Sequence, residues 1–233
     1  MNRIASIGLA AIIGLGLIGC GGDGDGLINQ PNPRVRLANL MPGINNAMAR
    51  VGSDTISETI AFGTVSDFAI TPNGNKDLTV GDSTFDNLAT LSDQLFELNR
   101  RYTAVAYGTT PRTIILLEDD ESGVSNDDVA IRAVHAAQGA ANVDVYISAP
   151  GDPLPAAPAM NALAPGTASD YSITDVGGTN TYRIRVFADG DTTTALVDQT
   201  IAIDPGERVA VIVYADSGQA SGFNALVFQE SID

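Results

Sequence analysis

Residues 181–186 (TYRIRV) alternate strictly. Tyr182, Ile184 and Val186 fall on one face, and Arg183 and Arg185 on the other. That two-residue period belongs to a half-buried strand. Residues 142–147 (NVDVYI) repeat it, with Val143, Val145 and Ile147 inward and Asp144 and Tyr146 outward. Residues 209–213 (VAVIV) are apolar at every position, which predicts a central strand covered on both faces. Turn signals separate such runs at 72–74 (PNG), 151–153 (GDP), 189–191 (DGD) and 204–206 (DPG). Short strands at this spacing predict an all-β chain of antiparallel β-sandwiches, Ig-like or transthyretin-like. Two stretches read differently. The spacing over 85–98 admits one helical turn, and the Pro-rich stretch 150–165 predicts a long loop or broken edge strand, because Pro cannot donate to a ladder.

The chain repeats itself. Residues 63–71 (GTVSDFAIT) match 166–174 (GTASDYSIT) at six of nine positions, with Phe68 opposite Tyr171. Upstream, Val35-Arg36 matches Ile131-Arg132, Gly43 matches Gly139 and Asn46 matches Asn142; downstream, 101–107 (RYTAVAY) matches 208–214 (RVAVIVY). The order is kept while the offset drifts, as loop insertions in a duplicated unit would produce. The units are placed at 34–118 and 129–233, two tandem sandwich domains, each long enough to bury a core. Between them the segment 119–128 is acidic and without a base. It reads as a solvated, self-repelling linker, and its clustered carboxylates would also suit calcium.

The first 33 residues have a different character. Arg3 is followed by an apolar run over 4–18 interrupted only by Ser6. This is short for a membrane span and right for a signal peptide. The run ends in Leu17-Ile18-Gly19-Cys20, which resembles a bacterial lipobox. Residues 1–19 are therefore expected to be a lipoprotein signal peptide, with Cys20 lipidated, and 20–33 a flexible tether. Gly21 stands after Cys20 where Asp would mark inner-membrane retention, so the expected location is the cell envelope, lipid-anchored at the outer membrane.

Composition closes off several classes. The net charge is −16 and the pI about 4.1, the opposite of a surface built to neutralise phosphates, so no nucleic acid is expected as partner. Cys20 is the one cysteine and His135 the one histidine, which leaves no disulfide framework and no Cys/His metal site. A literal Gly-x-Gly-x-x-Gly at Gly14, Gly16 and Gly19 lies inside the apolar N-terminal run and follows no strand, so no cofactor is expected.

The stretches 131–135 (IRAVH) and 142–146 (NVDVY) resemble the opening of the domain-of-unknown-function family 4397. The segments beginning at Gly63 and Gly166, and the strand 102–108 (YTAVAYG), resemble its later blocks. The family pattern has Ser-Pro where Ala137-Gln138 stands. The first unit has Asn39 in place of His135 and Met48 in place of Asp144. The resemblance implies tandem Ig-like or transthyretin-like sandwiches in a secreted or surface-anchored bacterial protein, and no activity.

Candidate site residues are few. His135 and Asp144 are close enough in sequence to meet across a hairpin, but no Gly-x-Ser-x-Gly nucleophile elbow accompanies them. Tyr146 is a candidate stacking surface for a sugar. Arg183 and Arg185 form an outward basic pair for an acidic ligand or partner, or else cross-strand ion pairs. Asp67 and Asp170, recurring after Ser66 and Ser169, read as turn residues. The expected protein is not an enzyme. It is a structural or interaction module touching an envelope or surface protein or polymer. The alternative is a ligand-binding lipoprotein for carbohydrate, a small molecule or calcium, and a hydrolase is the weakest reading.

Overall fold

The computed structural model describes residues 31–119, 124–125, 128–174 and 180–230. Cys20, the expected signal peptide, most of the tether and residues 120–123 and 126–127 of the acidic segment lie outside the described residues. The first half contains β1 (Arg34–Leu40), β2 (Ala47–Val51), β3 (Asp54–Ile60), β4 (Thr64–Val65), β5 (Ala69–Ile70), β6 (Gly74–Gly81), β7 (Asn87–Phe96), β8 (Arg101–Tyr107) and β9 (Thr113–Asp119). The second contains β10 (Val129–Ala136), β11 (Val143–Ser148), β12 (Met160–Leu163), β13 (Ser172–Thr174), β14 (Thr181–Ala188), β15 (Val197–Ala202), β16 (Arg208–Ala215) and β17 (Phe223–Gln229). The protein is all-β, as the alternating pattern implies.

Each half is a sandwich with the same pairing scheme. In the first, a sheet β4-β1-β8-β9, with β5 also on β1, faces a sheet β3-β2-β6-β7; in the second, β13-β10-β16-β17 faces β12-β11-β14-β15. One ladder in each half is parallel: β1 with β8, and β10 with β16. The remaining ladders are antiparallel. The sandwich interiors are filled by Val35, Leu37, Leu78, Val80 and Phe96 in one half, and by Ile131, Val145, Tyr182, Ile184 and Val211 in the other.

A third core lies between the halves. Ala38, Leu40, Val105, Tyr107 and Leu117 pack with Val134, Ala136, Ile212, Tyr214 and Phe228. The chain is thus a stack of four sheets, and the β1/β8 and β10/β16 sheets form its two middle layers. This explains why β10 and β16 are buried almost throughout: their odd-numbered apolar residues fill the second sandwich and their even-numbered ones the third core. The halves reach into each other reciprocally. Gly63 lies against the hydroxyl of Tyr214, and Gly166 against that of Tyr107. Both glycines have positive φ (76° and 82°), and a Cβ at Gly166 would stand 2.9 Å from the Tyr107 oxygen. Backbone handedness and close approach both exclude a side chain there. Outside this core, Gln138 clamps the 108–111 turn, accepting from Thr109 N–H (3.2 Å) and donating to Pro111 O (2.8 Å).

Two expectations are corrected. The halves are not independent bodies: the third core joins them, and β9 runs through Asp119, the first residue of the expected linker, whose side chain is buried. Residues 85–98 contain no helical turn. Most of the stretch is β7, whose ladder with β6 shifts register twice. Those irregularities let Leu88 and Leu91, three residues apart, both pack on the first core, while Leu95 is exposed.

A chain nicked within 120–127 should therefore elute from gel filtration as one species containing both fragments. Ile212→Ala should destabilise the protein by about 2–5 kcal/mol and leave a single urea transition reported identically from both halves. Two separate transitions would show that the middle layers do not couple them.

Candidate functional site

His135 is completely buried at the end of β10. Its Nε2 donates to Ala141 O (2.9 Å), and its Nδ1 faces Ala137 N–H (3.4 Å). Asn39, at the matching place on β1, does the same work. Its Nδ2 donates to Ile44 O (2.7 Å) and Ile60 O (2.9 Å), and its Oδ1 accepts from Met41 N–H (3.2 Å). Both side chains pin the turn that leaves the first strand of their half. Burial holds the imidazole below its usual pKa, partly opposed by the Ala141 carbonyl, so a neutral ring fits the hydrogen bonds it makes.

Asp144 does not meet His135. It stands on the outer face of its sheet, accepting from Ala162 N–H (2.8 Å) and Gly190 N–H (3.0 Å). Ala162 has φ of +51° where the β11–β12 register slips, so the carboxylate stabilises a bulge and a turn. The recurring serines are fasteners too: Ser66 and Ser169 Oγ accept from Leu37 and Ala133 N–H (2.9 and 3.0 Å), tying the connecting loop to the edge of β1 or β10.

Tyr146 is not a surface aromatic. It is 4% exposed and packs edge-on against Phe187, with ring centroids 5.6 Å apart. The outer face it occupies is crossed by the long 149–159 loop, which Arg185 holds through Pro153 O (3.0 Å). The two arginines separate. Arg183 pairs bidentately with Asp198 at 2.7 and 2.6 Å, whereas Arg185 is 7% exposed and bonds only neutral oxygens.

The densest polar constellation is one that reasoning from the sequence did not single out. Between the middle layers, Arg36 reaches Asp119 (3.3 Å) and Gln229 O (2.9 Å). Arg132 reaches Glu230, Asp119 (3.3 Å) and Glu118 O (3.1 Å). Each arginine thus bonds the carboxylate of its own half and a backbone carbonyl of the other, an approximate twofold arrangement. Thr103 donates to Asp119 and Tyr171 to Glu230. Arg36 lies over Phe68 and Phe228 at 4.3 and 4.2 Å, and Arg132 over Tyr171 at 5.1 Å. Burial pushes the Asp119 carboxyl up to about 6, with Glu230 adding to the rise and Arg36 and Arg132 opposing it. The signal was present: Arg36 interrupts an otherwise apolar run, and it recurs as Arg132.

Residues 33–146 match the family model described as Domain of unknown function (DUF4397). The chain carries a DUF4397 domain. The matched stretch takes in the whole first half, β10 and the start of β11, so the DUF4397 segment contains Arg36, Asp119 and Arg132 but not Glu230. No curated protein matches the chain. Among solved structures, the family 26 carbohydrate-binding module of Eubacterium rectale Amy13K, crystallised with maltoheptaose, is similar at a TM-score of 0.29 and 10% identity, covering 86% of this chain and 98% of that one. Family 41 carbohydrate-binding modules from streptococcal virulence factors, described for α-glucan recognition, give 0.29 and 10%, covering 79% and 93%. At these TM-scores the overlap is too loose to carry function from them to the DUF4397 chain.

The Asp119 shift fixes the sign of a pH effect. Its folded pKa lies above its unfolded value near 3.8, so the stability it contributes is fully present below that value. It is lost as pH rises through about 6. Urea unfolding should show wild-type stability falling relative to Asp119→Asn between pH 4 and 7, by on the order of 3 kcal/mol. A difference that grows with pH would mean that the arginines dominate.

Proposed function

We propose that the protein is a non-catalytic structural or interaction module held at the outer membrane by a lipid on Cys20. The observation that carries the non-catalytic reading is the equivalence of His135 and Asn39. The one imidazole in the chain makes the two turn hydrogen bonds that an amide makes in the sister half. A group that Asn replaces in place and role has a structural explanation that needs no proton transfer. Asp144 has its own, at the bulge. Proximity of a base and an orienting acid, which acyl-transfer chemistry requires, is absent here because the two side chains belong to different faces.

The interaction reading rests on rigidity. Four sheets joined by three cores make a body that presents surfaces in fixed relation. The edge strands β5 and β13 each carry a largely exposed isoleucine, Ile70 and Ile173, at matched positions. Paired weak contacts on one body gain from effective concentration. A double acyl chain on Cys20 would make membrane attachment stable.

Complementation of a deletion strain tests both parts. His135→Asn should stay folded and support the wild-type phenotype, while Cys20→Ser should move the protein from the membrane to the soluble fraction and lose the phenotype. A folded, correctly localised His135→Asn protein that fails to complement would overturn the non-catalytic reading. A Cys20→Ser protein that remains in the membrane fraction would overturn the anchor.

A further inference from the structure

Among the described residues, four large apolar side chains stay exposed: Ile70 (64%), Leu95 (55%), Leu98 (37%) and Ile173 (57%). Apolar residues scattered singly over a surface need no explanation. These four gather at one end of the stack. Ile70 pairs with Arg34, the first residue of β1, and Ile173 with Ala130, the second of β10. Leu95 pairs with Asn75 at the start of β6, and Leu98 stands in the turn between β7 and β8. The starts of β1 and β10 share this end, because Arg36 and Arg132, close to those starts, bond Gln229 O and Glu118 O of the opposite half. Tyr107 and Tyr214, against Gly166 and Gly63, mark the other end.

The chain enters the body at the same end. Pro31 O accepts from Asn99 N–H (2.7 Å), next to Leu98, and Pro33 O accepts from Thr71 N–H (2.9 Å), next to Ile70. Ten residues, 21–30, separate Pro31 from Cys20, and a chain of that length spans at most about 40 Å. Edge strands are commonly blunted by charge, yet β5 and β13 both carry isoleucine, at matched places of the repeat. The charges around this end are of both signs. Arg34, Arg100, Glu97, Glu118 and Asp204 are exposed, and Arg100 and Glu118 pair at 3.0 Å. No field of one sign is there to recruit a charged partner, so what this end offers is aliphatic.

We propose that this end docks on a lipid surface, with Ile70, Leu98 and Ile173 seated at the boundary between headgroups and acyl chains; the proposal rests on the reading that Cys20 carries the lipid. β1 and β10 point the same way, so the approximate twofold axis runs along the strands and Ile70 and Ile173 can meet one plane at the end of the stack. Binding to a bilayer interface grows with the apolar area buried, and three aliphatic side chains bury little. They suffice to orient a body that an anchor already holds near the surface, because the second contact is then intramolecular in effect. Docking turns the far end, with the exposed tips of the turns at Gly43 and Gly139, away from the membrane.

The test uses the full-length acylated protein in phosphatidylcholine vesicles containing a doxyl-labelled phosphatidylcholine quencher. A bimane fluorophore is attached through Asn73→Cys, in the exposed turn after Ile70, or through Asn45→Cys, in the exposed turn at the far end. Acylated Cys20 leaves no competing thiol. Quenching at 73 should exceed that at 45 at least twofold. Combining Ile70→Asp, Leu98→Asp and Ile173→Asp should bring quenching at 73 down to the level at 45, while the protein still floats with the vesicles. Should that variant fail to fold, the comparison of the two labels without it decides the matter alone. Equal quenching at 73 and 45 in protein that floats, as a protein partner for this end would give, or undiminished quenching at 73 in the folded triple variant, would overturn the proposal and leave the anchor standing. Protein that does not float would overturn the anchor reading and this proposal with it.

Discussion

Arg36 and Arg132 sit on strands that are covered on both sides, and a guanidinium in that position dictates what surrounds it. Each needs an acid within reach, and neither acid can come from solvent. Asp119 and Glu230 supply it from the ends of β9 and β17, and Asp119 serves both arginines. The bonds to Gln229 O and Glu118 O then require the two halves to stand in one relation. An apolar interface alone tolerates sliding, since burial is non-directional, whereas removing one partner of a buried charged cluster costs about 3–5 kcal/mol. The ionic cluster thus provides the register of the middle layers, and the surrounding Ile212, Val105, Phe228 and Leu117 provide most of the adhesion.

The same constraint orders the chemistry around it. The turn that follows the first strand of each half is open to solvent at its tip, Gly43 or Gly139, but the groups at its base face a strand buried on both sides. A side chain from that strand satisfies them. In one half that side chain is Asn39 and in the other His135; both donate to a carbonyl of the turn and accept from the amide two residues on, and Asn39 adds a bond to Ile60 O. The loop carrying Ser66 or Ser169 closes the open edge of the same strand. Features that look like motifs for chemistry when read along the chain are, in three dimensions, the fastenings of a doubly buried strand.

Much of this was legible in the sequence. Strict alternation at 142–147 and 181–186 correctly assigned Val143, Val145, Ile147, Tyr182, Ile184 and Val186 to the core, and the unbroken apolar run at 209–213 correctly marked a central strand. What was not legible has a common cause. Alternation tells which face a residue is on, but not what later covers that face. Asp144, Tyr146 and Arg185 were rightly placed outward from their sandwich, yet Asp144 is bonded to the 190 turn, Tyr146 is packed on Phe187, and Arg185 is held by the 149–159 loop. The third core escaped for the same reason. Val134, Ala136, Ala210 and Ile212 read as the second side of a buried strand, and nothing in a single strand's pattern says that its second neighbour is the other half of the chain. Bulges hid β7, since each register shift breaks the period on which strand recognition depends.

The shared pairing scheme of the two halves makes the distribution of their differences informative. Positions facing the middle of the stack correspond across the halves in chemistry as well as place: Arg36 with Arg132, Val105 with Ile212, Tyr107 with Tyr214, Asp119 with Glu230, Gly63 with Gly166. All but Glu230, which bonds Arg132 and Tyr171 of its own half, pack on or bond a partner in the opposite half, so a change in one constrains the other. The outward sheets carry no such coupling, and there the halves part company. Arg50 lies over Phe85 at 3.6 Å in one, where the other has Tyr146, Arg185 and an eleven-residue loop. An approximate twofold body can differentiate only where its symmetry does no structural work. The largest differences accordingly lie in the outer sheets and their connections, where Tyr146, Arg185 and the 149–159 loop stand in one half only.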